Sequence, residues 1–155
     1  MAARLRAEHP PKPVLALEGE VYLNLLRAAD ALLHGTEELL KPYGLTPSQY
    51  NVLRILRCAE PDGLACGEIA ARMLTRDPDM TRLLDRLEKR GLVRRARGAR
   101  DRRVVLTRIS LPGVKLLEDL DAPVQQMHGR QLKHMSGAQL RQLAALLERV
   151  RESSA

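Results

Sequence analysis

Aromatic residues are almost missing from this chain of 155 residues, which has no Phe, no Trp and only three Tyr. Its core must therefore be built from Leu, Ala, Val, Ile and Met, a set of side chains typical of helical proteins. Two cysteines are too few for a disulfide framework, and no signal-peptide pattern follows the start MAARLRAEHPPKP. No run of about 18 apolar residues is present to cross a bilayer. These absences predict a soluble, cytoplasmic, mainly helical protein without a membrane partner.

Residue sets that carry catalysis or hold a metal are also missing. The sequence shows no grouping of nucleophile, base and orienting residue, no Gly-rich phosphate loop and no paired carboxylates. Four histidines, at positions 9, 34, 128 and 134, lack the close spacing that is typical of metal ligands. We therefore expect no enzyme activity, no metal and no cofactor.

Positive charge is abundant and concentrated in one segment. The chain has 26 Lys and Arg against 19 Asp and Glu, a net charge of +7. Residues 86–103 hold nine basic and two acidic residues, whereas the rest of the chain holds seventeen of each. Such a segment predicts a polyanionic partner. Double-stranded DNA is favoured over RNA because aromatic stacking residues are missing, and over a membrane surface because no apolar stripe lies beside the charges. A merely solvated basic face is the remaining alternative.

Apolar periodicity divides the chain into regions. Residues 1–13, with three prolines, predict a flexible N-terminal arm, and residues 14–155 predict a single domain. Apolar spacings of three and four predict a long helix over 14–41 and two more within 111–152, although Pro123 predicts a kink or an early break. The apolar faces of these helices are too broad to be buried within one chain of this size. A homodimer joined through them is the simplest solution.

The middle region, 47–108, has the pattern of a winged helix-turn-helix. Its last helix is expected to begin at Asp77-Pro78, with Asp77 as N-cap because a residue before proline avoids helical geometry, and to end at Gly91. Two Val-containing runs on either side of Gly98 then predict a β-hairpin, the wing (92–107). The expected fold is mainly α with a small β-hairpin, a winged helix-turn-helix flanked by N- and C-terminal dimerisation helices.

The second helix of a helix-turn-helix enters the major groove, so its exposed polar residues are candidate base readers. Arg82 and Arg86 could reach guanine edges or phosphates, whereas Asp79 could accept from cytosine or hold a neighbouring arginine in position. The candidate set on this helix is Arg76, Asp79, Met80, Thr81, Arg82 and Arg86.

The tip of the hairpin is suited to following phosphates or to placing one arginine in the minor groove. Its candidate residues are Arg97, Arg100, Asp101, Arg102 and Arg103. Asp101 is expected to order one of these arginines through a local ion pair.

The run MTRLLDRLEKRGLVRRARGARDRRVVLT resembles the second helix and wing of the MarR family of bacterial transcription regulators. Asp101-Arg102-Arg103 followed by Leu106-Thr107 matches the D-x-R wing pattern of that family, and the resemblance extends over roughly residues 15 to 152. It implies a homodimeric, ligand-responsive repressor on a pseudo-palindromic operator, with Arg103 as the minor-groove arginine.

The resemblance also implies a small anionic or phenolic effector. The side chains placed where such a pocket often forms are Tyr22, Tyr43, Tyr50 and Met127, although core packing explains them equally well. Two other functions stay open. Cys66, at a predicted helix N-terminus, could make the protein a thiol-based redox sensor, while Cys58 is expected in the core. The chain could also be a non-catalytic architectural nucleic-acid-binding protein.

Overall fold

The computed structural model of the chain describes residues 16–98 and 101–152, so the expected N-terminal arm lies outside the described residues. The elements follow in the order α1 (Leu17–Leu40), α2 (Pro47–Cys58), β1 (Leu64–Ala65), α3 (Cys66–Arg72), α4 (Met80–Lys89), β2 (Val93–Arg97), β3 (Val105–Ile109), α5 (Leu111–Gln131) and α6 (Gly137–Glu152), with a single 3₁₀ turn at Lys41–Tyr43. The mainly α fold with a small antiparallel sheet is confirmed.

Side-chain caps and one glycine set the ends of several helices. Thr46 and Gln49 cap α2 reciprocally, each side chain accepting a hydrogen bond from the backbone N–H of the other. The Ser110 hydroxyl accepts from Gly113 N at the start of α5 and donates to Gly91 O. Gly91 has a φ of 72°, a left-handed conformation that ends α4 and turns the chain into β2. These boundaries agree with the sequence prediction.

Helix α5 continues through Pro123, so of the kink or early break expected there the break does not occur. A proline inside a helix removes one backbone N–H donor. Buried neighbours on both sides, Leu120 and Val124, hold the helix on the core across this site. Packing therefore outweighs the single hydrogen bond that is lost.

A third strand joins the hairpin. β1 has only two residues, Leu64 and Ala65, which pair antiparallel with Thr107 and Leu106 of β3. The strand order is β1-β3-β2, with β3 in the centre. The sequence prediction missed β1 because two residues carry no measurable periodicity. Through β1, the base of the wing is attached to the start of α3.

The core lies between α2, α3, α4, the sheet and α5. Its most completely buried side chains are nearly all aliphatic: Leu40, Val52, Leu53, Leu56, Ile69, Leu84, Leu87, Val93, Leu117 and Leu120. The long helices at the two ends of the chain contribute little to it. In α1 only Leu40 is buried, and α6 has no buried residue. Both helices expose large apolar side chains, Tyr22, Leu26, Leu33, Leu143, Leu146 and Leu147 among them.

Gly113→Ala is expected to destabilise the fold. A Cβ at this position would lie 2.3 Å from Leu92 O and 2.8 Å from Ile109 Cγ1, so α5 would have to move away from the sheet. We expect a loss of about 1–3 kcal/mol in the free energy of unfolding, measured by urea denaturation. Gly129→Ala is the matched control in the same helix, because nothing lies within 4 Å of its Cβ, and it should be neutral or stabilising by up to about 1 kcal/mol. Equal stabilities of the two variants would contradict the close approach.

Candidate nucleic-acid interface

The exposed face of α4 carries two arginines one helical turn apart. Met80, Leu83, Leu84 and Leu87 are buried, whereas Arg82 and Arg86 are exposed on the opposite side. Within the part of the chain that the structure describes, neither guanidinium pairs with a carboxylate. Both are therefore free to bind an anionic or hydrogen-bonding partner.

A cleft of about 370 Å³ separates this arginine face from the first turn of α2. Thr46 and Ser48 line one wall, and Arg82 and Arg86 line the other. Asp77 and Asp79 also line the cleft, so the hydroxyl and guanidinium groups that can bind phosphate stand beside two carboxylates that repel it. The sequence prediction did not include Ser48, since only the folded chain brings it to the same cleft as the arginines of α4 and no local pattern reveals this.

The start of α4 differs from the prediction. Asp79, and not Asp77, is the N-cap: its Oδ1 accepts from Arg82 N at 3.1 Å. Asp77 instead accepts from Asp79 N at 2.9 Å in the preceding turn. Pro78 therefore precedes the helix, because two successive aspartate turns delay its start. The carboxylate of Asp79 is engaged by the backbone and orders the helix that presents Arg82.

The other residues predicted on this helix are dispersed. Met80 is buried in the core and cannot face a groove, whereas Thr81 is exposed on the first turn of α4. Arg76 is exposed in the turn between α3 and α4. That turn is held by Asn51 of α2, whose Oδ1 accepts from Leu74 N at 2.8 Å. The structure thus brings Arg82, Arg86 and Thr81 onto α4 and leaves Arg76 beside its start.

The wing extends the basic surface beyond α4. Arg97 ends β2 opposite Val105, and Arg102 and Arg103 are exposed in the turn, while Arg100 lies outside the described residues. Asp101 Oδ1 accepts from the backbone N of Arg103 at 2.9 Å. Asp101 therefore orders Arg103 through the main chain, and among the described residues it forms no ion pair of the kind expected from the sequence.

Three nearby arginines have structural roles. Arg90 donates to Gly44 O and Tyr43 O, and Arg108 donates to Pro61 O. Arg95 bonds to Glu88 and Asp85 on α4. Hydrogen bonding to Arg95 holds the pKa of the Glu88 carboxyl below its usual range, and the same contact raises the pKa of Arg95. The basic segment therefore contains free guanidinium groups and others that hold the fold together.

Helices α2 and α5 are joined by a two-pronged ion pair. Arg57 donates to both carboxylate oxygens of Asp121, at 2.9 and 3.0 Å. Hydrogen bonding to Arg57 lowers the pKa of Asp121. This pair fixes the helix that begins beside α4 to the long helix that follows the wing.

Asp121→Asn is expected to lower the stability at neutral pH, with a difference from the wild type that shrinks in acid. A lowered folded-state pKa means that the contribution is complete above about pH 4 and is lost as the pH falls through the folded value. Since the pair is partly exposed, we expect about 1 kcal/mol or less. Urea denaturation at a series of pH values measures the difference. A constant difference between neutral and acid pH would contradict this assignment.

A cavity of about 310 Å³ lies beside the Arg57–Asp121 pair, between α2 and α5. Tyr50, Arg54 and His128 contribute to its lining, and the Arg54 guanidinium stands 5.9 Å from the centre of the Tyr50 ring. The other side chains expected around an effector are elsewhere: Tyr22 is exposed on α1, Tyr43 packs on the core and Met127 is buried within it. The structure therefore does not gather the four predicted residues into one pocket.

Residues 16–98 and 101–152 contain neither a membrane-spanning helix nor a metal-ligand cluster. No helix among them is long and apolar enough to span a membrane. No group of three or more His, Cys, Asp or Glu side chains in these ranges could hold a metal ion. Cys58, expected in the core, is exposed at the end of α2, and Cys66 is partly buried as the first residue of α3.

The chain is similar in sequence and in fold to proteins of one family. A sequence model of the MarR family matches residues 45–105. The chain is 44% identical to a MarR transcription factor from Planctomyces limnophilus, with a TM-score of 0.68, covering 86% of this chain and 97% of that one. It is 31% identical to CouR from Rhodococcus jostii RHA1 bound to p-coumaroyl-CoA, with a TM-score of 0.73 and coverages of 87% and 94%.

A third structure contains DNA. A mutant of MarR from Escherichia coli complexed with operator DNA is 27% identical, with a TM-score of 0.76, covering 88% of this chain and 99% of that one. The family match spans α2 to the wing, and the structural matches extend over most of the chain. The protein therefore belongs to the MarR family of transcription regulators.

Proposed function

We propose that the chain binds a specific double-stranded DNA site, with α4 in the major groove and the wing along the adjacent backbone and minor groove. The observation that carries this proposal is the free arginine set Arg82, Arg86, Arg102 and Arg103, which has no carboxylate partner among the described residues. Free guanidinium groups bind guanine edges and phosphates in two-pronged fashion. The operator complex of the E. coli relative supports the same partner.

The proposed assembly is a homodimer. The apolar faces of α1 and α6 are exposed in the single chain, and a second copy can cover both. Residues 14–41 and 111–152 then serve as dimerisation helices, and residues 47–108 form the DNA-binding winged helix-turn-helix. Two such units would lie in successive major grooves, about 34 Å apart, on a pseudo-palindromic operator.

A gel shift on promoter DNA from the protein's own gene, repeated over a range of salt concentrations, tests this function. We expect a discrete shift at low salt and a linear fall of log affinity with log salt, because each phosphate contact releases counterions. DNA of scrambled sequence should bind more weakly by about a thousandfold or more. Absence of a shift at low salt, or equal affinity for scrambled DNA, would contradict a sequence-specific regulator.

We further propose that the cavity at Tyr50 and Arg54 receives a small anionic or phenolic effector. Arg54 has no ion-pair partner among the described side chains and lies over an aromatic ring, an arrangement that suits an aromatic anion. CouR, a relative, binds p-coumaroyl-CoA. Because the Arg57–Asp121 pair borders the cavity, a ligand there can change how α2 is held on α5, and so the separation of the two DNA-binding units.

A thermal-shift panel of phenolic acids, run with wild type and Arg54→Ala, tests the effector site. A stabilising compound should lose its effect in the variant and should weaken DNA binding by the wild type. A compound that stabilises both proteins equally would place its site elsewhere.

Within this proposal the protein is a repressor that acts in the cytoplasm, where its DNA is, and has no catalytic role. The redox alternative is not favoured, because Cys66 packs partly buried against the core. An architectural role is also not favoured, because the relatives are transcription regulators.

A further inference from the structure

One side chain connects the two proposed DNA-contacting elements. Arg95, in the middle of β2, donates from Nε to Glu88 Oε2 at 2.8 Å and from Nη2 to Asp85 Oδ1 at 2.5 Å. Its backbone N also donates to Glu88 Oε1 at 3.1 Å. Glu88 and Asp85 are three residues apart on α4 and so lie on one face of that helix. One guanidinium therefore spans from the wing to both carboxylates.

The register of the hairpin shows why Arg95, and not its neighbour Arg94, makes this connection. Arg95 pairs with the buried Thr107 in β3, on the sheet face that turns toward α4. Arg94 pairs with Arg108 on the opposite face, because successive strand residues alternate. Arg94 is exposed and has no carboxylate partner among the described residues. Two adjacent arginines of equal charge thus lie on opposite faces of the sheet, and Arg95 contacts α4 whereas Arg94 is exposed.

The position of the two carboxylates gives this contact a consequence for DNA binding. Asp85 lies between Arg82 and Arg86 in the sequence of α4, beside the face proposed to enter the groove. Left unpaired, Asp85 and Glu88 would repel phosphates and would have no fixed partner on the wing. Arg95 turns both toward β2, so the same ion pairs shield the groove-facing side and set the wing against α4.

We propose that Arg95 is a positioning residue that holds the wing at a fixed distance from α4, so that Arg103 reaches its DNA contact while Arg82 occupies the major groove. This inference rests on the proposed DNA-binding function. It assigns Arg95 no contact with DNA. Besides pairing Asp85 and Glu88, it contributes to affinity by holding Arg103 in place, so the contribution of Arg103 should depend on it.

A double-mutant cycle measured by operator affinity tests this dependence. Arg103→Ala is made in the wild type and in Arg95→Gln, which loses the forked donor. In the wild type, the loss of Arg103 should weaken binding roughly tenfold. In the Arg95→Gln background the same change should cost less than about threefold, since the wing no longer holds Arg103 in place.

Three matched variants separate positioning from charge and from folding. Arg94→Gln removes the same charge from the neighbouring residue of β2, and Arg103→Ala should still cost about tenfold in it. When Arg82→Ala and Arg95→Gln are combined, their separate losses of operator affinity should add within about twofold. Arg95→Lys keeps the charge and the apolar stem but lacks the fork, so the cycle can be repeated in a protein that keeps its fold. Circular dichroism checks that each variant is folded.

Several results would overturn the inference. One is an Arg103→Ala cost that stays the same, within about twofold, in the Arg95→Gln and Arg95→Lys backgrounds. Another is a reduced Arg103 cost in Arg94→Gln, which would indicate a general charge effect. A wild-type protein that binds the operator but is unaffected by Arg103→Ala also overturns it, since there is then no wing contact to position. A wild-type protein that fails to bind DNA contradicts instead the proposed function.

Discussion

Leu143→Glu combined with Leu147→Glu is expected to convert the dimer to a monomer and to reduce operator affinity by roughly a hundredfold or more. The two leucines lie one turn apart on α6, and each is 37% exposed in the single chain. In the proposed dimer they would be buried, and a two-fold interface would contain four unpaired carboxylates, each costing several kcal/mol to desolvate. A monomer can occupy only one half of a pseudo-palindromic operator, so the gain from linking two DNA-binding units is lost.

Light scattering during size-exclusion chromatography measures the oligomeric state, and a gel shift measures affinity. The matched control is Ala138→Glu with Ala145→Glu, which adds the same two charges to α6 at exposed positions on the side away from the apolar stripe. This control should remain dimeric and bind normally. A leucine variant that stays dimeric, with affinity within about twofold of the wild type, would refute the proposed role of α6.

Arg82→Ala is expected to cost about 1–3 kcal/mol of operator affinity, concentrated at one base pair. The substitution removes the guanidinium and leaves the local backbone contacts of α4 unchanged. Asp79 caps the backbone N of residue 82, a bond that alanine retains, and alanine is a strong helix former. The guanidinium is exposed and makes no ion pair among the described residues, so folding stability should be nearly unchanged.

Operator variants that differ by single base pairs measure the effect. The wild type should discriminate at one position of each half-site, and Arg82→Ala should bind all four base pairs there about equally. Lys89→Ala is the control, since this exposed residue ends the same helix and should affect all sequences alike. A uniform loss in Arg82→Ala would instead identify Arg82 as a phosphate contact.

Local signals predicted much of the fold. Thr46 and Gln49 cap each other within one turn, the capping bond of Ser110 is to Gly113 N three residues on, and Gly91 acts through its backbone conformation. A sequence pattern is enough to find these helix ends. Local signals predicted the start of α4 only in part. Two aspartates two residues apart can each cap, and the structure uses Asp77 for the turn and Asp79 for the helix.

Charge alone could not separate the arginines by role. Arg90 and Arg108 bond to carbonyls 46 and 47 residues away, and the sequence has no signal for such contacts. Met80, included in the candidate set of α4, is buried, because it shares the apolar face of the helix with Leu84 and Leu87. The exposed candidate residues within α4 are therefore Thr81, Arg82 and Arg86, fewer than the sequence predicted.

By itself, the sequence determined the helix-forming composition, the capped starts of α2 and α5, the hairpin after Gly91 and the concentration of positive charge that indicates a polyanionic partner. Each depends on composition or on contacts within one turn. Only the tertiary structure decided which guanidinium groups are free: Arg82 and Arg103 remain exposed, whereas Arg95 is held by Asp85 and Glu88. The physical reason is that a guanidinium is satisfied by whichever carboxylate or carbonyl the packing brings within about 3 Å, and packing joins residues that are distant in sequence.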